Sequence, residues 1–120
     1  MAIKRNATAI LPIEVGIPIE NLRSIEFLFK KEKNPNAEEL LKKTYLKDEI
    51  EIKADTSNSF GFTMLMRLKP KETYRLPAGK VYMDTYPTLN DGNVPIIPIV
   101  TIDDILETLY KEARKDGRDD

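Results

Sequence analysis

"SFGFTMLMRL", residues 59–68, sets Phe60, Phe62, Met64, Met66 and Leu68 on one parity. An extended chain turns alternate side chains to opposite faces, so this row predicts a strand with one face in a core. The stretches on either side are turn-rich: "ADTSNS" (54–59) before it and "KPKETYRLPAGK" (69–80) after it. The next alternation is "KVYMDTYPT" (80–88), where Val81, Met83 and Thr85 oppose Tyr82, Asp84 and Tyr86. Asp91-Gly92 then supplies the positive-φ positions of a hairpin loop, which folds a strand over 94–102 back onto 80–88. Pro95 and Pro98 lack amide donors and do not both fit a fully paired central strand. They mark an edge or a strand that changes partners, and they discourage uncontrolled edge-to-edge pairing.

Towards the N-terminus, "NATAILPIEV" (6–15) reads as a first strand, ended or edged by Pro12. "GIPIENL" (16–22) turns, and "SIEFLFKKEK" (24–33) is a cleaner strand with Ile25, Phe27 and Phe29 on one face. After "NPN" (34–36), residues 37–53 fit a helix through Leu40, Leu41 and Tyr45 or strands through Ile50 and Ile52. One or two strands, with Lys47-Asp48 as a candidate turn, is the preferred reading. Phe27, Phe29, Phe60, Phe62 and Met64 are the expected core.

The end of the chain has a different period. In "TIDDILETLYKEARKDGRDD" (101–120), Ile102, Ile105, Leu106, Leu109, Tyr110 and Ala113 fall on one helical stripe. Asp103 or Thr101 is placed to cap that helix, Glu107 and Lys111 sit at i,i+4, and Gly117 stops it. The expected organisation is therefore a β-sandwich over 1–102, an amphipathic helix over 103–116 and a frayed tail over 117–120. The stripe either covers the domain's own core or docks on a neighbour; the delimited helix favours docking.

Composition narrows the chemistry. At 120 residues the chain fits one domain, large enough to bury roughly 65% of its unfolded surface. Without His or Cys it lacks the commonest neutral-pH base, a thiolate nucleophile and the commonest transition-metal ligands. Lys plus Arg (19) nearly cancels Asp plus Glu (20), so the net charge of −1 gives no general attraction to nucleic acid or anionic membrane. No apolar run approaches the ~20 residues needed to span a bilayer, and Pro12, Glu14, Gly16 and Pro18 interrupt any signal-like start. A cytoplasmic site of synthesis follows, with the Asn6-Ala7-Thr8 glycosylation triplet incidental.

The remaining clusters have plain explanations. Asp103-Asp104 lacks the oxygen spacing of a calcium loop and reads as a cap. Asp55 and Asn58 read as a surface turn. Glu38, Glu39, Asp48, Glu49 and Glu51 alternate with lysines as a solvated face, not as a carboxylate couple. Phe60 and Phe62 beside Arg67, Lys69 and Lys71 suggest a nucleic-acid stacking platform, but the row continues into Met64, Met66 and Leu68 as a core face does. The expectation is no catalytic residue, no metal, no cofactor, no nucleic acid and no membrane.

The segment "FGFTMLMRLKPKETYRLPAGKVYMDTYPTLNDGNVPIIPIVTI" (60–102) resembles small proteins encoded by phages and prophages of Gram-positive bacteria. Shared features are the alternating strand, the Pro-Glu-Thr-like turn in "KPKETYRL", the "PAGKVYMD" strand, the Asp-Gly hairpin and the "PIVTI" ending. "LPIEVGIPIENLRSIEFLFKK" is similar to that group's opening. Related arrangements occur in the N-terminal β-sandwich module of phage baseplate proteins, although a C-terminal helix departs from that module's compact ending.

The resemblance implies an immunoglobulin-like β-sandwich of about seven or eight short strands. It further implies a virion structural or assembly role in the tail or baseplate, in contact with other virion proteins and copies of itself. Alternatives are a capsid-decoration or head–tail joining protein, a small-ligand or carbohydrate-binding module, and an enzyme working through carboxylates or Tyr. Candidate contact residues are Ile105, Leu106, Leu109, Tyr110, Pro95 and Pro98.

Overall fold

A computed structural model describes residues 2–53 and 60–114 of the chain. The strands are β1 (Ile3–Lys4), β2 (Ala9–Val15), β3 (Leu22–Lys30), β4 (Glu39–Leu46), β5 (Phe62–Leu68), β6 (Gly79–Leu89) and β7 (Val100–Leu106). Strands take 49% of the described residues and helical turns 9%, which makes the class all-β. Among the described residues the one α-helical turn, α1, is Pro70–Thr73. Short 3-10 turns occupy Ile19–Asn21 and Lys47–Glu49, the latter at the expected Lys47-Asp48 turn.

Five strands form one sheet in the order β1-β7-β6-β3-β4, while β2 and β5 pair in a second. All neighbours are antiparallel except β1 and β7, which run parallel through Ile3↔Ile105 and Lys4↔Leu106. On its other side β5 receives residues 51–53: Ile52 bridges to Met64, Lys53 N–H donates to Thr63 O (2.8 Å) and Leu65 N–H to Glu51 O (2.8 Å). Among the described residues β2 has β5 as its one strand neighbour, so Pro12 sits on an edge strand, where a missing donor is tolerated.

The alternation sets which faces meet. Leu11 and Val15 from β2 and Phe62, Met64, Met66 and Leu68 from β5 share one buried cluster with Ile25, Phe27, Phe29, Val81 and Met83. Two expectations fail here for identifiable reasons. Phe60 is 70% exposed, not buried. β5 begins only at Phe62, and Gly61 lies so close to the chain that a Cβ there would meet Val15 O at 1.8 Å. That approach stops the pleat one residue after Phe60.

The larger correction concerns residues 103–116. Residues 103–106 complete β7 and residues 107–114 form no helix; 115 and 116 lie outside the described residues, as do Gly117, the tail 117–120 and the 54–59 turn with Asp55 and Asn58. The boundary expected at 102 thus falls inside a strand. The physical cause is a β-bulge. Gly79 pairs with Ile105 but Val81 with Ile102, so Asp103 and Asp104 stand opposite Lys80 alone. The extra residue restores the inward direction at Ile105 after Ile102, and an i,i+3 apolar spacing results from a strand. Asp103 and Asp104 are exposed bulge residues and not helix caps.

Candidate interaction surface

The β6–β7 hairpin turns where Asp91-Gly92 predicts. Gly92 has φ +90°, its N–H donates to Leu89 O (2.9 Å), and Leu89 N–H donates to Asn93 O (2.8 Å). The chain then fails to pair at once. Residues 94–99 lie outside any strand and β7 starts at Val100, because Pro95 and Pro98 interrupt the row of donors that a ladder needs. Freed from the sheet, Val94, Ile96 and Ile99 are exposed, Ile96 at 96%, and Val100 at the start of β7 is exposed as well. Pro95 is half-buried and Pro98 exposed.

Beyond β7 the chain runs as a strap over residues 107–114, tied by its backbone to the N-terminal segment and to α1. Asn6 is the central tie. It is buried at 3% exposure with φ +68°, a left-handed conformation that Asn adopts more readily than most residues. Its Nδ2 donates to Glu112 O (3.1 Å) and its Oδ1 accepts from Arg114 N–H (2.7 Å). Tyr74 Oη donates to Lys111 O (2.5 Å).

Arg5 pairs with Glu107 (2.5 Å), donates to Tyr74 O (2.7 Å) and lies over the Tyr74 ring, 4.6 Å from its centre. The Thr108 amide and then Arg5 hold the Glu107 carboxyl below its ordinary pKa. α1 is fixed in turn by Thr73 Oγ1 donating to Ala7 O (2.8 Å) and by the Lys43–Glu72 pair (2.9 Å). The "KPKETYRL" turn therefore anchors the strap.

Between these ties two apolar side chains point outward: Leu109 is fully exposed and Tyr110 60% exposed. Of the sequence candidates, Leu106, Leu109 and Tyr110 lie at the surface, whereas Ile105 is buried and belongs to the core. Of twelve exposed large hydrophobic residues among those described, seven fall within 94–110. The exposed large apolar side chains are thus concentrated along one stretch of the chain.

A second feature adjoins it. On the outer face of the five-stranded sheet, Leu28, Lys30, Tyr82, Asp84 and Tyr86 line a groove of about 290 Å³, walled by Glu32, Lys33, Asn34, Pro35 and Ile99. Register puts Leu28 opposite Asp84 and Lys30 opposite Tyr82. Lys30 Nζ donates to Pro35 O (2.8 Å), holding the loop over the sheet. The Tyr86 hydroxyl donates to Asp84, which raises the phenol's pKa, and Lys33 and Lys80 approach the Tyr82 ring at 5.7 and 5.9 Å.

The other clusters do not converge. Glu51 forms a bidentate pair with Arg67 (2.7 and 2.9 Å), which lowers its pKa, the opposite of what a general acid needs. Phe62 is buried, so it offers no stacking platform. Among the described residues no group of three or more His, Cys, Asp or Glu side chains could hold a metal ion. No described helix is long and apolar enough to cross a membrane.

Sequence reasoning missed Asn6, which it set aside as part of a triplet, and it missed the groove, whose walls come from three separate parts of the chain. A scan of protein-family models found none that matches this chain, and a search of curated proteins found no significant match.

Proposed function

We propose that this chain is a non-enzymatic structural component of a phage or phage-derived particle, seated in the tail or baseplate, and that it works through protein–protein contact. The observation that carries the reading is the strap: Leu109 and Tyr110 are presented outward on a backbone that the protein itself holds in place. Such pre-ordering lowers the entropy lost on association, and exposed Leu and Tyr side chains on a fixed backbone are suited to fill a partner's pockets. The particle assignment comes from the resemblance of residues 60–102. We further propose that the fold is an immunoglobulin-like sandwich. In its support, β2 and β5 leave the first sheet while β4, β3, β6 and β7 remain adjacent in it, the division of strands between the sheets of a variable-type domain.

Particles purified from cells that produce them test the functional reading. Mass spectrometry should find this chain in the particle, and Leu109→Asp with Tyr110→Ser should leave it folded in the cytosol but absent from the particle. Particles that lack the parent chain refute the particle assignment, and normal incorporation of the double variant refutes the surface.

A further inference from the structure

We propose that the groove on the outer face of the five-stranded sheet is a binding site for a neutral saccharide. The inference stands on the groove alone and does not depend on the particle assignment. Its floor is built by parity. Tyr82, Asp84 and Tyr86 are alternate residues of β6, so all three side chains rise from one face, and the two tyrosines flank the carboxylate from Cα positions about 13 Å apart. Leu28 and Lys30 of β3 complete the floor opposite Asp84 and Tyr82. The site is formed before any ligand arrives. Lys30 Nζ holds the 32–35 loop as a wall through Pro35 O (2.8 Å), and Asp84 is fixed by accepting from the Thr85 N–H (3.1 Å) and the Tyr86 hydroxyl. The volume, about 290 Å³, lies at the foot of the range for small-ligand sites.

The lining selects the ligand class. Lys30 and Lys33 balance Glu32 and Asp84, so the groove carries no net charge to attract an anion or a cation. A wholly apolar ligand would take water from the Asp84 carboxylate and donate nothing in return. A peptide adding as a strand would find no free main chain, because β3 and β6 pair with each other beneath the groove. A sugar ring meets each of these conditions. It is uncharged, its rim carries hydroxyls that both donate and accept, and its faces carry C–H groups. Asp84 and Glu32 accept, Lys33 donates, and the Asn34 amide does both. A carboxylate has about four acceptor positions, so Asp84, with two in use, keeps room for ligand hydroxyls. Tyr86, 43% exposed, offers a ring on which a C–H face can lie, bordered by Leu28 and Ile99. Lys33 and Lys80, 5.7 and 5.9 Å from the Tyr82 ring, are exposed side chains able to exchange that contact for ligand oxygens.

Titration of the full chain with glucose, galactose, maltose, cellobiose and N,N′-diacetylchitobiose, followed by amide chemical shifts, tests this. At least one of them should move the amides of Leu28, Tyr82, Asp84, Tyr86 and the 32–35 loop with a Kd of about 1 mM, leaving those of β2 and β5 in place. Asp84→Asn removes the charged acceptor and should weaken that binding roughly tenfold. Tyr86→Ala removes the ring and should weaken it roughly tenfold as well, whereas Tyr86→Phe keeps the ring and should bind more tightly than Tyr86→Ala. Both positions lie outside the buried cluster, so thermal melts of these variants should match the parent's and exclude unfolding as the cause. Absence of groove shifts with every one of the sugars at about 50 mM overturns the proposal. So do groove shifts that survive Asp84→Asn and Tyr86→Ala undiminished. Groove shifts produced by choline or by inorganic phosphate, where the sugars produce none, overturn it too and make the groove an ion site. Each of these failures leaves the strap, and the contact reading built on it, untouched.

Discussion

Replacing Asn6 by Gly removes both side-chain hydrogen bonds that hold the end of the strap, yet leaves the backbone free to keep φ near +68°. Each bond contributes about 1 kcal/mol net, so docking of residues 111–114 should weaken by about 2 kcal/mol. Asn6→Ala should cost about 1 kcal/mol more, because a Cβ-bearing residue without a local hydrogen bond pays for the left-handed conformation. The difference between the two variants isolates backbone strain from lost bonding. Tyr74 and Arg5 still tie the strap at Lys111 and Glu107, so the change should be local opening and not global unfolding. Hydrogen exchange at the Arg114 amide, which Asn6 Oδ1 accepts, reads this directly. A loss of about 2 kcal/mol corresponds to roughly 30-fold faster exchange, with the amides of β3 and β6 unchanged. Arg114 exchange in Asn6→Gly equal to the parent's would refute the clamp, and with it the argument that the strap is held in advance for a partner.

Phe27→Ala, at a fully buried position in β3, should cost about 3–5 kcal/mol in a denaturant titration, whereas Phe60→Ala should stay within about 0.5 kcal/mol of the parent. Gly61→Ala should lower the thermal midpoint clearly, since its Cβ would meet backbone at 1.8 Å and not a side chain able to move away. Ending the chain after Leu106 should leave a folded sheet by circular dichroism, while ending it after Thr101 removes Ile102, buried Ile105 and the partner of β1 and should unfold the protein. Glu107 is held below its ordinary pKa, so its contribution to strap docking is present above the unfolded-state value of about 4.3 and is lost as pH falls through the lower folded value. Arg114 exchange, corrected for its intrinsic pH dependence, should therefore accelerate in acid, and Glu107→Gln should abolish that dependence.

Much of the sheet was legible without coordinates because strand alternation is a local property. Phe27 and Phe29 on β3, Phe62 and Met64 on β5 and Val81 and Met83 on β6 all bury the side that their parity predicts. Asp91-Gly92 marked its own turn, and Pro95 and Pro98 announced a stretch that could not complete a ladder. What the chain could not declare locally was decided by partners distant in sequence. The bulge at Asp103-Asp104 exists only against Lys80, and it converts an apolar spacing of three, which alone signals a helix, into two inward positions of one strand. Phe60 left the core because Gly61 had to pass the backbone of Val15. The strap and the groove are further examples: Asn6 binds residues more than a hundred positions away, and the groove draws its walls from β3, β6, the 32–35 loop and Ile99. Periodicity records which faces a segment offers, but register, bulges and long-range hydrogen bonds are set by what lies opposite, and only the tertiary structure supplies that.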